Sequence, residues 1–237
     1  MTREEFSNSF DVLLASYKRL KDFDNKEILD SIEFNEYEKS VFLTNAQEEI
    51  VINLYNGKNP YGESFESTEE LRRYLDALVV TKTFSMADEV QGEKLDKNSV
   101  FFELPANMAF ITLERVTYDD ESLGCADGTT ADVYPITQDE YNRVKDNPFR
   151  GATKYKALRL DYGNNVVEII PKYTIGQYFV KYLEKPSPII LAELPEGLSI
   201  DGKTSTQECL LNSMLHKTIL ERAVTMALAS KGISVDK

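Results

Sequence analysis

The sequence predicts an α+β protein with a helical N-terminal region, a small, mostly antiparallel β-sheet region in the middle and a long C-terminal helix. Three observations carry this reading. Residues 1–84 repeat apolar positions at helical spacing, the stretch from Ser99 breaks into short extended runs between turns, and the chain's end returns to helical spacing. Helices, then strands, then one helix is the serial layout of α+β folds, not the alternation of a doubly wound sheet.

Each element has a local justification. Thr2 with Glu5 forms a capping box, and Phe6, Phe10, Leu13, Leu14, Tyr17 and Leu20 follow at helical spacing. Asp24-Asn25 breaks this helix and caps a short one through Ile28, Leu29 and Ile32. Asn35 with Glu38 opens a third helix with an apolar stripe of Val41, Phe42, Ala46, Ile50, Leu54 and Tyr55, stopped by Gly57. A turn-rich link over 57–62 leads to a fourth helix, capped by Ser67 or Thr68, with Leu71, Tyr74, Leu75 and Leu78 on one face.

Residues 85–98 are polar, hold Gly92 and show no strong period, so they read as a linker or arm that orders on assembly. Extended runs follow at 100–105, 108–118, 157–162, 166–170 and 178–183, and Gly163-Asn164-Asn165 is a hairpin turn between two of them. Thr137 caps a short helix over 139–145 that ends at Asn147-Pro148. Pro186-Ser187-Pro188 stops the last run, and Ile189-Ile190-Leu191 reads as a short edge strand. The final helix is expected from Ser205 or Thr206 to Ala229 and ends at Gly232. The expected organisation is therefore a helical bundle over 1–84, the arm over 85–98, a β-rich region with one short helix over 99–204, and the long helix over 205–232.

Composition excludes several functions. The 27 Lys and Arg face 40 Asp and Glu, a net charge of −13, which argues against a broad phosphate-neutralising face. The acidity is spread, since residues 1–84 alone carry 10 basic and 17 acidic side chains. One His and two Cys rule out most Cys/His zinc sites and a disulfide-rich secreted scaffold. The acidic start, Met1-Thr2-Arg3-Glu4-Glu5, lacks the basic region of a signal peptide, and no run approaches a membrane span. A cytoplasm-like compartment with reduced thiols is expected.

Catalytic constellations are sparse. His216 lies in the expected C-terminal helix and reads as a residue at a packing edge or subunit contact, Cys209 reads as a small buried apolar residue, and Cys125 sits in a loop without a basic partner. No phosphate-binding glycine loop appears. The acidic loop 119–132, with Asp127 and Asp132, is the one candidate cation site, although its spacing departs from the calcium-loop pattern. One basic cluster stands out: Arg150, Lys154, Lys156 and Arg159, interleaved with Phe149 and Tyr155. In an acidic chain it reads as a protein contact ahead of a nucleic-acid contact. The aromatic N-terminal residues Phe6, Phe10 and Tyr17 are further interface candidates.

Several stretches carry a resemblance. They are EYEKSVFLTNAQEEIV at 36–51, LYNG at 54–57, TEELRRYL at 68–75, VYPITQDEY at 133–141, NPFR at 147–150, VKYLEKPSPIIL at 180–191 and LHKTILERAV at 215–224. In number and order they resemble virion structural proteins of crAss-like bacteriophages, the short-tailed phages of gut Bacteroidales. Within that group the likeness is to the neck ring, or head-to-tail connector, proteins.

The resemblance implies a non-enzymatic subunit without cofactor. It implies a homo-oligomeric ring of twelve copies docked below the portal, with other neck or tail proteins as neighbours. On the same resemblance genomic DNA is expected to pass through the ring without sequence-specific binding, with no membrane involved. Its expected place is the virion, after assembly in the bacterial host cytoplasm. The acidity fits a channel that DNA slides past. Two alternatives stand beside this reading: another tail or lower-ring virion protein, and a divalent-metal-dependent hydrolase built on loop 119–132.

Overall fold

The fold is described from a computed structural model, in which residues 1–20, 32–58, 62–63 and 67–233 are placed. The chain divides into two compact units, Met1–Leu78 with Pro186–Lys237, and Val79–Lys185. These boundaries lie elsewhere than the composition breaks at 84, 98 and 204. The break at Asp24-Asn25 and the helix expected through Ile28 and Leu29 lie outside the described residues.

The first unit is helical. Helix α1 (Arg3–Leu20) opens on the expected box, in which the Glu5 amide donates to Thr2 Oγ1 and the Thr2 amide to Glu5 Oε2. Phe6, Phe10 and Leu14, four residues apart, are buried on one face. Helix α2 (Glu36–Tyr55) carries the full Asn35/Glu38 capping box. Gly57, at φ 74°, follows its end.

The buried face of α2 includes Ser40, Thr44 and Gln47 among its apolar residues. Ser40 Oγ accepts the Leu191 amide (3.0 Å), Thr44 Oγ1 accepts the Ile189 amide (3.1 Å), and Gln47 Nε2 donates to the Ser187 carbonyl (2.8 Å). Side chains spaced i, i+4, i+7 thus do the work of a partner strand for extended chain that would otherwise bury unpaired backbone. Helix α3 (Glu69–Leu75) is capped by Thr68, whose side chain accepts the Leu71 amide.

The second unit holds eight strands, β1 (Val79–Ser85), β2 (Glu89–Val90), β3 (Val100–Glu103), β4 (Met108–Tyr118), β5 (Thr130–Pro135), β6 (Lys156–Gly163), β7 (Val166–Ile170) and β8 (Ile175–Glu184). Between β5 and β6 runs the short helix α4 (Gln138–Val144), capped by Thr137 as expected. The sheet order is β1-β8-β4-β5-β6-β7-β3-β2. Every pairing is antiparallel except β5–β6, whose ends need the α4 crossover because parallel neighbours cannot be joined by a tight turn. The α+β prediction therefore holds.

The period-2 alternation sorts the sheet's two faces. On one, Phe84 and Phe102 each stack on Tyr178 within a core that includes Val116, Ala157, Ile169 and Val180. On the other, Tyr141 and Val144 of α4 cover Leu158, Leu160 and Ile170. The β6–β7 turn is the expected one, with φ 84°, 50° and 61° at Gly163, Asn164 and Asn165.

Three expectations are corrected. Residues 79–84, assigned to the helical region, form β1, because the β-branched run Val79-Val80-Thr81 and Thr83 pairs along its full length with β8. Strand β5 goes unread in the sequence. The last helix, α5 (His216–Ser230), starts later than 205. The residues before it are irregular, with Ile190 and Gln207 exchanging backbone bonds, and Asn212 caps the turn that leads into α5. Ile189-Ile190-Leu191 makes that single bridge and not an edge strand.

Candidate functional site

The predicted site residues separate by burial. Phe6 and Phe10 are core residues and offer no contact surface: Phe6 packs 5.2 Å from the His216 ring and Phe10 6.0 Å from Phe34. The cause is the i, i+4 face they share, which a soluble helix turns inward. Tyr17 is half-buried on the same helix.

Arg159 is also withdrawn from the surface. It is 8% exposed, and its Nη1 donates to Glu114 Oε2 at 2.6 Å. The second oxygen of Glu114 accepts the Tyr178 hydroxyl, and Asp161 lies 3.3 Å from Arg159 Nε. Burial lowers the guanidinium pKa, and Glu114 and Asp161 more than reverse this, so it rises overall. Burial, with Glu114 beside it, drives the Tyr178 pKa well above the ordinary tyrosine range.

A second buried carboxylate, Glu168, organises the segment expected as an arm. It is fully buried and accepts the Leu95 amide (2.8 Å), the Ser99 hydroxyl (2.5 Å) and the Tyr162 hydroxyl (2.8 Å). Burial and the Glu168 contact push Tyr162 up to about 12. Upstream, Asp88 closes a box on Ser85 and β2 pairs with β3. A Cβ on Gly92 would sit 2.6 Å from the Phe101 ring, so glycine is what lets the chain lie flat there. Segment 85–98 is thus tied at several points to the sheet. Only a charge inside the apolar runs around Glu114 and Glu168 pointed to these centres.

The acidic loop engages Asp120, Asp127 and Asp132 in contacts inside the fold. Asp127 Oδ1 accepts the amides of Asp120 and Gly128, and Asp132 pairs with Arg115 at 3.0 Å. The Ser122 hydroxyl, then the Thr174 and Ser122 amides, hold Asp120 down at about 2. Among the described residues no three or more His, Cys, Asp or Glu side chains gather in a metal-holding group.

His216 is buried. The ammonium of Met1 donates to its Nδ1 (2.7 Å), and its Nε2 faces the Leu211 carbonyl (3.1 Å). An ammonium only donates and a carbonyl only accepts, so the ring is neutral with its proton on Nε2. Burial lowers its pKa. Cys125 and Cys209 are free thiols, and Cys209, raised in pKa by burial, contacts Gln47 Oε1.

What remains exposed is a compact aromatic and cationic surface at the start of β6. Phe149 is 89% exposed, Tyr155 66% and Tyr134 49%. The turn presenting them is built rigidly. Asn147 Oδ1 accepts the amides of Phe149 (2.9 Å) and Arg150 (3.2 Å), and the Gly151 amide donates to the Asn147 carbonyl (2.8 Å). A Cβ on Gly151 would lie 2.9 Å from that carbonyl and 3.0 Å from the Val144 carbonyl. Lys156 Nζ donates to the Arg150 carbonyl (2.9 Å) and lies 5.3 Å from the centre of the Tyr134 ring; Lys154 lies 5.7 Å from that of Tyr155.

Among the described residues the buried polar side chains serve internal bonds, and an ordered aromatic and cationic patch lies at the surface. Comparison with known proteins gives the family. The model of the phage tail ring protein 3/4 family matches residues 1–237. Ring protein 3 of Bacteroides phage crAss001 is 48% identical over 233 residues, 98% of this chain and 96% of the relative. Ring protein 4/5 of the same phage is 32% identical over 239 residues, 97% and 93% of the two chains. The chain belongs to the phage tail ring protein 3/4 family and is a structural ring component of a crAss-like phage virion. Among the described residues no helix is long and apolar enough to cross a membrane.

Proposed function

We propose that this chain is a non-enzymatic subunit of a ring of twelve copies in the phage neck, docked on the portal and joining it to the tail. The family match along the whole chain carries the reading. The net charge of −13 supports a channel wall that repels DNA and lets it slide. Assembly takes place in the host cytoplasm, from subunits with reduced thiols. Subunit contacts fall to the exposed Phe149 and Arg150 with the half-buried Lys154 and Lys156 beside them.

The test is the mass of the purified protein in solution, alone and with the portal protein of its phage. A dodecamer-sized species or a portal-dependent complex is expected, and a strict monomer in both conditions overturns the proposal. The family's description as a tail ring favours one second reading, a ring lower in the tail. A particle map that places the subunit away from the portal would select it.

A further inference from the structure

We propose that the aromatic and cationic patch around Phe149 docks on the acidic β4–β5 connection of a second copy of this chain, side by side around the ring. This deepens the ring reading above and rests on it.

The argument begins with the strand order. β4, β5 and β6 are neighbours, and Thr117 of β4 faces Thr130 of β5 while Asp132 of β5 faces Lys156 of β6. The end of β4, the start of β5 and the start of β6 therefore meet at one end of the sheet, and the Tyr118 hydroxyl donates to the Thr153 carbonyl across that end. Two segments of opposite charge flank it. Residues 149–156 hold Arg150, Lys154 and Lys156 and no acid, and residues 119–127 hold Asp119, Asp120, Glu121 and Asp127 and no base.

Internal bonds use Asp120 and Asp127 but leave the exposed Asp119 and Glu121 at the surface. Among the described residues no carboxylate lies in ion-pair range of Arg150. One end of the unit is thus basic on one flank and acidic on the other, with only β5 between. Copies set side by side in the same sense bring unlike flanks together, which is what a heterologous, ring-closing contact needs. Phe149, held out by the Asn147 turn, supplies an aromatic anchor within the charged rim. In a chain of net charge −13, the basic flank also finds its complement on another copy of itself.

The experiment uses charge swaps on the full chain, with assembly followed by mass photometry and folding by thermal melting. Arg150→Glu with Lys154→Glu, and separately Asp119→Lys with Glu121→Lys, should each weaken assembly about tenfold or more with the melt retained. All four changes in one chain should restore it to within about threefold, because the complementarity is only inverted. Phe149→Ser should weaken assembly of every form. If wild type assembles and both charge pairs assemble equally well, this inference fails while the ring reading stands. If wild type stays monomeric with and without the portal, the ring reading fails first. Assembly that stops at a dimer overturns the side-by-side contact. Unchanged assembly with weaker retention of double-stranded DNA would assign the patch to phosphate instead.

Discussion

Replacing Arg159 separates the cationic residues that build the fold from those that face outward. The Arg159 and Glu114 side chains are 10% and 4% exposed, and their charged atoms lie 2.6 Å apart. Truncation by Arg159→Ala leaves the Glu114 carboxylate in the sheet's interior with the Tyr178 hydroxyl as its remaining donor. Removing one partner of a buried ion pair costs about 3–5 kcal/mol, since the orphaned charge keeps its desolvation penalty. At roughly 2–4 °C of Tm per kcal/mol for a chain of this size, the melt should fall by about 6–20 °C. Arg150→Ala, on an exposed turn, should stay within about 0.5 kcal/mol of wild type. Replacing the whole trio, with Glu114→Leu, Arg159→Met and Tyr178→Phe, should recover much of the loss, because no charge is then stranded. Scanning calorimetry on wild type and the three variants reads all of this. Arg159→Ala melting within about 2 °C of wild type would refute the reasoning.

Three further outcomes are expected. Glu168→Ala removes the acceptor for Leu95, Ser99 and Tyr162; it should cost about 3 kcal/mol and open amides 95–99 to hydrogen exchange, whereas retained protection there would show that something else ties the segment down. Because the His216 pKa is lowered in the fold, the stability it contributes is whole above its unfolded value of about 6.5 and is lost as pH falls through the folded value. The Tm gap between wild type and His216→Gln should therefore shrink on acidification from about pH 7 to about pH 5, and parallel curves would deny the linkage. Gly151→Ala pushes a methyl against two backbone carbonyls, at 2.9 and 3.0 Å, so a loss of about 1–3 kcal/mol is expected by chemical denaturation; an unchanged midpoint would mean the Asn147 turn yields.

Local chemistry made much of the fold legible. Asn35 with Glu38, Thr137, and the Gly163-Asn164-Asn165 turn each act within a few residues of themselves, and the helix ends and hairpin they specify are where the sequence places them. The misreadings share another cause. Residues 205–215 have helical spacing in Leu210, Leu211 and Leu215, yet Gln207 bonds with Ile190, a partner far away in sequence. Strand β1 follows helical residues directly and is recognisable only beside β8. The candidate surface was half legible. Its cluster of Arg150, Lys154, Lys156 and Arg159 reads as a single patch along the chain, but period-2 alternation with the neighbouring Leu158 and Leu160 does not tell which face carries Glu114.

The sequence by itself determined the α+β class, the caps and turns, the acidity, and the membership that the full-length family match records. These follow from composition and from contacts between residues close in the chain. Only the tertiary structure decided that Arg159 and Glu168 are buried, that Phe149 stands in solvent, and that an acidic and a basic flank share one end of the sheet. The buried charges depend on partners 45 to 73 residues away and the shared end on the order of strands, and a long-range pairing leaves no spacing signal in either of the segments it joins.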